Sequence, residues 1–92
     1  MTKDQCLALL EDYEQLLKER GAEPVETDHN IVSPDKETIF NNSLFMVLKM
    51  KEFIQKDKMD KFYRWLGFLQ CVLWVAGEFS MNQLREHNRH EE

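Results

Sequence analysis

Apolar residues recur along this chain at three- and four-residue spacing, in three long stretches separated by polar breaks. In the first, Cys6, Leu9, Leu10, Tyr13, Leu16 and Leu17 form one stripe, the mark of an amphipathic helix. Thr2 and Gln5 have capping-box spacing, and Lys18, Arg20 and Gly21 suit a helix end. The second stretch opens at Ser33-Pro34-Asp35, with Ser33 expected as the N-cap and Pro34 as the first helical residue. Its stripe is Ile39, Ser43, Met46, Val47, Met50, Phe53 and Ile54, with Phe40, Leu44 and Leu48 on a second ridge. Lys49, Lys51 and Glu52 are left for solvent. The third stretch, capped in this reading by Asp57, places Met59, Phe62, Leu66, Leu69, Leu73 and Ala76 on one face and ends at Gly77. A last short helix is announced by a Ser80/Gln83 capping box and a Phe79/Leu84 staple.

The pattern predicts one all-α domain over residues 1–92, with helices at about 3–20, 34–56, 58–76 and 81–88 and a loop at 21–33. The short polar link between the second and third helices requires them to lie antiparallel. The expected architecture is therefore a long antiparallel helical hairpin, an N-terminal helix packed on it, and a short C-terminal helix. The loop contains Pro24, Asp28 and Asn30, and its length points to a functional or mobile segment. The residues from Arg89 onward are expected to fray.

The third helix poses a problem of cover. RWLGFLQCVLWVAG, residues 64–77, is apolar over well over half its circumference, because neighbours on a helix point about 100° apart. A helix of that kind must be covered on nearly every side. Trp65, Gly67, Phe68, Cys71, Val72, Trp74 and Val75 are therefore candidate oligomer-interface residues. Gly67 and Cys71 provide two small residues for close helix approach, either to a helix of the same chain or to a second copy.

The same stretch carries a family resemblance. The segment RWLGFLQ, followed by an apolar turn, a Gly and SMNQLREHNR, resembles short phage and prophage proteins with an Arg-Trp-Leu-Gly-Phe-x-Gln core. The likeness spans roughly residues 39–89, and Cys71 stands where the group favours Gly. The resemblance implies a phage accessory protein acting in a bacterial cytoplasm. It supplies no activity.

Composition narrows the remaining possibilities. The formal charge is −5, with Lys and Arg mixed among the acids, which argues against general nucleic-acid binding. Lys49, Lys51, Lys56, Lys58 and Lys61 crowd one tip, but Glu52, Asp57 and Asp60 are interleaved. The apolar run is too short to cross a membrane. Cys6 and Cys71 lie in apolar helical patterns with no secretory signal before them, so both are expected as reduced, buried thiols of a cytoplasmic protein. His87 and His90 have metal-ligand spacing but sit in the tail, and Asp28-His29 lies in a loop without a phosphate loop or nucleophile elbow. The reading has no catalytic residues, metal or cofactor. Arg64 is expected to pair with Asp60 or Asp57; alternatively, Tyr13, Tyr63 and Arg64 line a nucleotide pocket between subunits. The leading expectation is a non-enzymatic homo-oligomer that binds a host or phage protein; the alternative is a binder of an anionic nucleotide at a subunit boundary.

Overall fold

The computed structural model describes residues 1–89. Among these it contains four helices and no strand: α1 (Lys3–Glu19), α2 (Lys36–Gln55), α3 (Met59–Val75) and α4 (Met81–Asn88). The expected all-α class and architecture are present.

Both capping boxes form. The Thr2 hydroxyl accepts from the Gln5 amide at 3.1 Å, while Gln5 Oε1 accepts from the Thr2 amide at 2.7 Å. Ser80 and Gln83 repeat the arrangement at the start of α4. The first three helices end alike. Ala22, Lys58 and Glu78 donate their amides back to Leu17, Phe53 and Leu73, and the residue before each donor has a left-handed backbone. That geometry satisfies carbonyls the helix would otherwise leave open. Gly21 and Gly77 occupy this position at two ends, as the sequence suggests.

At the third end the expected roles change. Asp57, with φ 58°, terminates α2 rather than capping α3, and its carboxylate pairs with Lys3 at 2.6 Å. Lys58 is the α3 N-cap and has no side-chain cap bond. The start of α2 also differs from expectation. Asp35, not Ser33, is the N-cap, and its carboxylate accepts from the Thr38 amide at 2.8 Å. A charged acceptor makes the stronger cap bond, and Ser33 instead turns the chain with φ 52°. The Thr38 bond holds the Asp35 carboxyl below its usual range.

The residues 56–58 reverse the chain, so α2 and α3 form a hairpin. α1 packs against α2 and runs parallel to α3. Three polar contacts mark that parallel register: Cys6 Sγ to Tyr63 Oη at 3.9 Å, Tyr13 Oη to Gln70 at 3.1 Å, and Arg20 to Glu78 at 2.9 Å. The first two lie seven residues, or two turns, apart on both helices, a spacing that returns each helix to the same face, and the third ties the two helix ends together. Between them lies the core, in which Leu10, Leu17, Leu44, Val47, Met50, Phe62, Leu69 and Leu73 are fully buried.

The segment between α1 and α2 is tied down. Asn41 Oδ1 accepts from the Glu23 amide at 2.9 Å, and Asn42 Oδ1 accepts from the Thr27 amide at 3.0 Å. An Asx turn at Asp28–Asn30 shapes its tip. The chain is thereby drawn along the first turns of α2.

Candidate functional site

The outer face of α3 is the most distinctive surface of the molecule. Its inner stripe behaves as expected: Phe62, Leu66, Leu69, Leu73 and Ala76 are buried. On the opposite side Phe68 is 59% exposed, Trp74 46% and Val75 71%. Among the residues flagged for an interface, Gly67 and Cys71 are exposed with these three, whereas Trp65 and Val72 are half-buried. Trp65 turns its ring edge-on to Phe53, centroids 4.9 Å apart, and so helps close the hairpin. A Cβ built on Gly67 would meet no heavy atom within 4 Å. The small residue therefore makes a notch in the surface rather than a tight crossing inside the subunit. Cys71 is exposed and Cys6 buried, which corrects the expectation of two buried thiols.

Grooves flank this face on both sides. One, of about 490 Å³, lies between the 22–32 loop, α2 and α3; Phe45, Met46, Trp65 and Phe68 line it, with Glu26, His29 and Lys49 at its rim. The other, of about 340 Å³, runs between α3 and α4 and includes Cys71, Trp74, Met81 and Leu84. Met81, 52% exposed, extends the apolar area onto α4.

The three residues proposed to hold a nucleotide are not gathered within the subunit. The Tyr13 hydroxyl is buried at the α4 end, between Gln70 Nε2 at 3.1 Å and His87 Nδ1 at 2.8 Å. Tyr63 lies two turns away, with its hydroxyl beside Cys6 and donating to the Met1 carbonyl at 3.4 Å. Arg64 is exposed, and among the described residues no carboxylate pairs with it within 4 Å. The expected pairing with Asp57 is pre-empted by Lys3, and none forms with Asp60.

Gln70 Nε2 can only donate, so the phenol oxygen accepts there, and the same oxygen shares a hydrogen bond with His87 Nδ1. Gln70 and Asn88 exchange a reciprocal amide pair at 2.8 and 2.9 Å. Phe79 packs against both rings, its centroid 4.6 Å from that of His87 and 5.9 Å from that of Tyr13. Burial pushes the Tyr13 phenol up to about 12. Burial and the neighbouring Cys6 thiol also raise Tyr63.

This network was not read from the sequence. Gln70 was the one uncharged polar side chain within an apolar helix, which was the available signal, but its partners lie on α1 and α4 and have no local pattern. His87 is a structural member of the network; His90 lies outside the described residues. No group of three potential metal-ligating side chains occurs among the described residues. Asp28 caps the Asn30 amide and His29 lies 3.3 Å from Glu26, both at the surface. Nor do the tip lysines form one patch. Lys51 is half-buried and pairs with Glu14 at 2.6 Å, rather than being left to solvent; Lys49 pairs with Glu52, and Lys61 lies over the Phe53 ring. No helix among the described residues is long and apolar enough to cross a membrane. Compared with known proteins, the chain matches no family model, no curated protein sequence and no solved structure.

Proposed function

We propose that this chain is a small non-enzymatic accessory protein, of the phage kind its central segment resembles, that acts by protein–protein contact. The observation that carries the reading is the continuous apolar surface on α3. Phe68, Trp74 and Val75 stand exposed together around Gly67 and Cys71. Apolar patches of this kind mark interaction sites, and exposed aromatic side chains are common anchors of such contacts. A surface anchored on α3 leaves the outer side of α1 and the 22–32 loop free. Asp4, Glu11, Asp12, Glu19, Glu23, Glu26 and Asp28 are exposed there, while the neighbouring Lys3, Lys18 and Arg20 are engaged with Asp57, Glu14 and Glu78, so a host or phage partner meeting that side would present a basic surface.

The test is the size of the protein in extracts of the cells that express it. The wild-type chain should run within an assembly well above its own 11.1 kDa. A Phe68→Asp/Val75→Asp double variant should run alone while still unfolding in one cooperative transition, because neither side chain belongs to the core. A wild-type chain that runs alone, or a variant assembly of unchanged size, would reject the reading.

A further inference from the structure

We propose that the occupant of the α3 face is a second copy of the same chain, crossing antiparallel with a two-fold axis at Cys71. The inference rests on the docking reading above and gives that surface a defined partner.

Cys71 points away from the buried stripe of Leu66, Leu69 and Leu73 and is exposed. The positions around it complement one another in reverse order. Arg64 lies two turns before Cys71, and α3 ends at Val75, about one turn after it. Gly67 and Phe68 lie about one turn before, Trp74 and Val75 about one turn after. In an antiparallel pair centred on Cys71, the indole of Trp74 enters the open notch over Gly67 of the second copy. Phe68 meets the exposed Val75, and the two Cys71 side chains meet at the axis. Arg64, which has no ion-pair partner in its own subunit among the described residues, reaches the C-terminal end of the other α3. That end carries the negative pole of the helix dipole. Each contact is made twice, as a two-fold interface requires.

A parallel pairing gains none of this. It sets Arg64 against Arg64, Trp74 against Trp74 and the Gly67 notch against another notch. The face thus distinguishes the direction of its partner by charge and by volume.

The experiment uses the purified full-length chain. Light scattering after gel filtration should give twice the monomer mass. A short bis-maleimide should join two chains through Cys71, the exposed thiol, while Cys6 stays buried. Cys71→Ser should abolish the cross-link and keep the dimer mass. Gly67→Trp fills the notch in a place where the subunit has space, so it should weaken dimerisation about tenfold or more without lowering the monomer's melting temperature. Arg64→Glu should weaken it too, with a smaller effect at high salt. A monomer at high micromolar concentration would overturn the second copy as occupant. So would a dimer that resists the cross-linker and tolerates Gly67→Trp. If the purified chain is monomeric while the extract assembly still disappears in the Phe68→Asp/Val75→Asp variant, only the choice of occupant fails. If the extract assembly is absent or indifferent to that variant, the docking reading fails as well.

Discussion

Tyr13 joins α1, α3 and α4 through one hydroxyl. Its ring fills the core and its oxygen links Gln70 to His87, so it is at once a packing residue and the centre of a polar network. Tyr13→Phe keeps the ring and removes the link, leaving the Gln70 amide and His87 Nδ1 each short of a partner. We expect a loss of about 1–2 kcal/mol in urea unfolding. The phenol also makes stability depend on alkaline pH. Its folded-state value of about 12 lies above the ordinary 10, so the neutral form is favoured by folding. That contribution is fully present below pH 10 and is lost as pH rises toward 12; a shift of this size corresponds to roughly 2–3 kcal/mol. Chemical denaturation between pH 9 and about 12 should show the decline in the wild type and a shallower one in Tyr13→Phe. Equal slopes in the two proteins would place the Tyr13 hydroxyl in water.

At the scale of elements, caps and turns decide where each helix stops, whereas tertiary bonds decide how the short pieces are held. Ser80→Ala removes half of the α4 capping box, and we expect it to cost about 1 kcal/mol. Because Leu84, His87 and Asn88 all reach their partners from α4, amide hydrogen exchange should show the loss first in residues 81–88. Gly77, with φ 85°, has open space around a would-be Cβ, yet the backbone itself disfavours one. Gly77→Ala should therefore destabilise by about 1–2 kcal/mol. The 22–32 segment presents the opposite case. It reads as a free loop by composition, but Asn41 and Asn42 anchor its backbone to α2. Replacing both with Ala should speed limited proteolysis within 22–32 several-fold while leaving cleavage elsewhere unchanged; an unaltered rate would show that the anchors do not hold it.

For the whole molecule, one ion pair adds to the apolar packing of α1 on α2. Glu14 receives Lys18 and Lys51, both at 2.6 Å, and these two partners hold its carboxyl below the usual range. A depressed carboxyl stabilises the fold above its unfolded-state value and loses that contribution as pH falls through the folded one. Glu14→Gln should accordingly cost about 0.5–1 kcal/mol near neutrality and nothing once pH has dropped below both values. Thermal melts of the two proteins from pH 7 downward should converge. A gap that persists in acid would assign the effect to packing. The exposed face of α3 belongs to this scale too. It is compatible with the stability of one subunit, whose core closes without it, and its apolar character is the basis of the docking proposal.

Much of this architecture was legible along the chain. The periodic stripes determined the helices and their inner faces, the two capping boxes determined where α1 and α4 begin, and Gly21 and Gly77 determined two of the ends. These features depend on residues within a few positions of one another, where backbone sterics and hydrogen-bond reach leave few choices. Asp57 and Asp35 show the limit of that logic, since the same side chain can start one helix or finish another depending on which neighbour it reaches. The excess of apolar circumference on residues 64–77 was also visible in advance. What the sequence could not decide was its division: Trp65 turned inward onto Phe53, Phe68, Trp74 and Val75 left outside, Cys6 enclosed and Cys71 open. Nor could it bring together Tyr13, Gln70 and His87, which sit on three helices. Those outcomes follow from how whole helices cross, and a crossing is settled by volumes and polar partners that lie far apart in the chain.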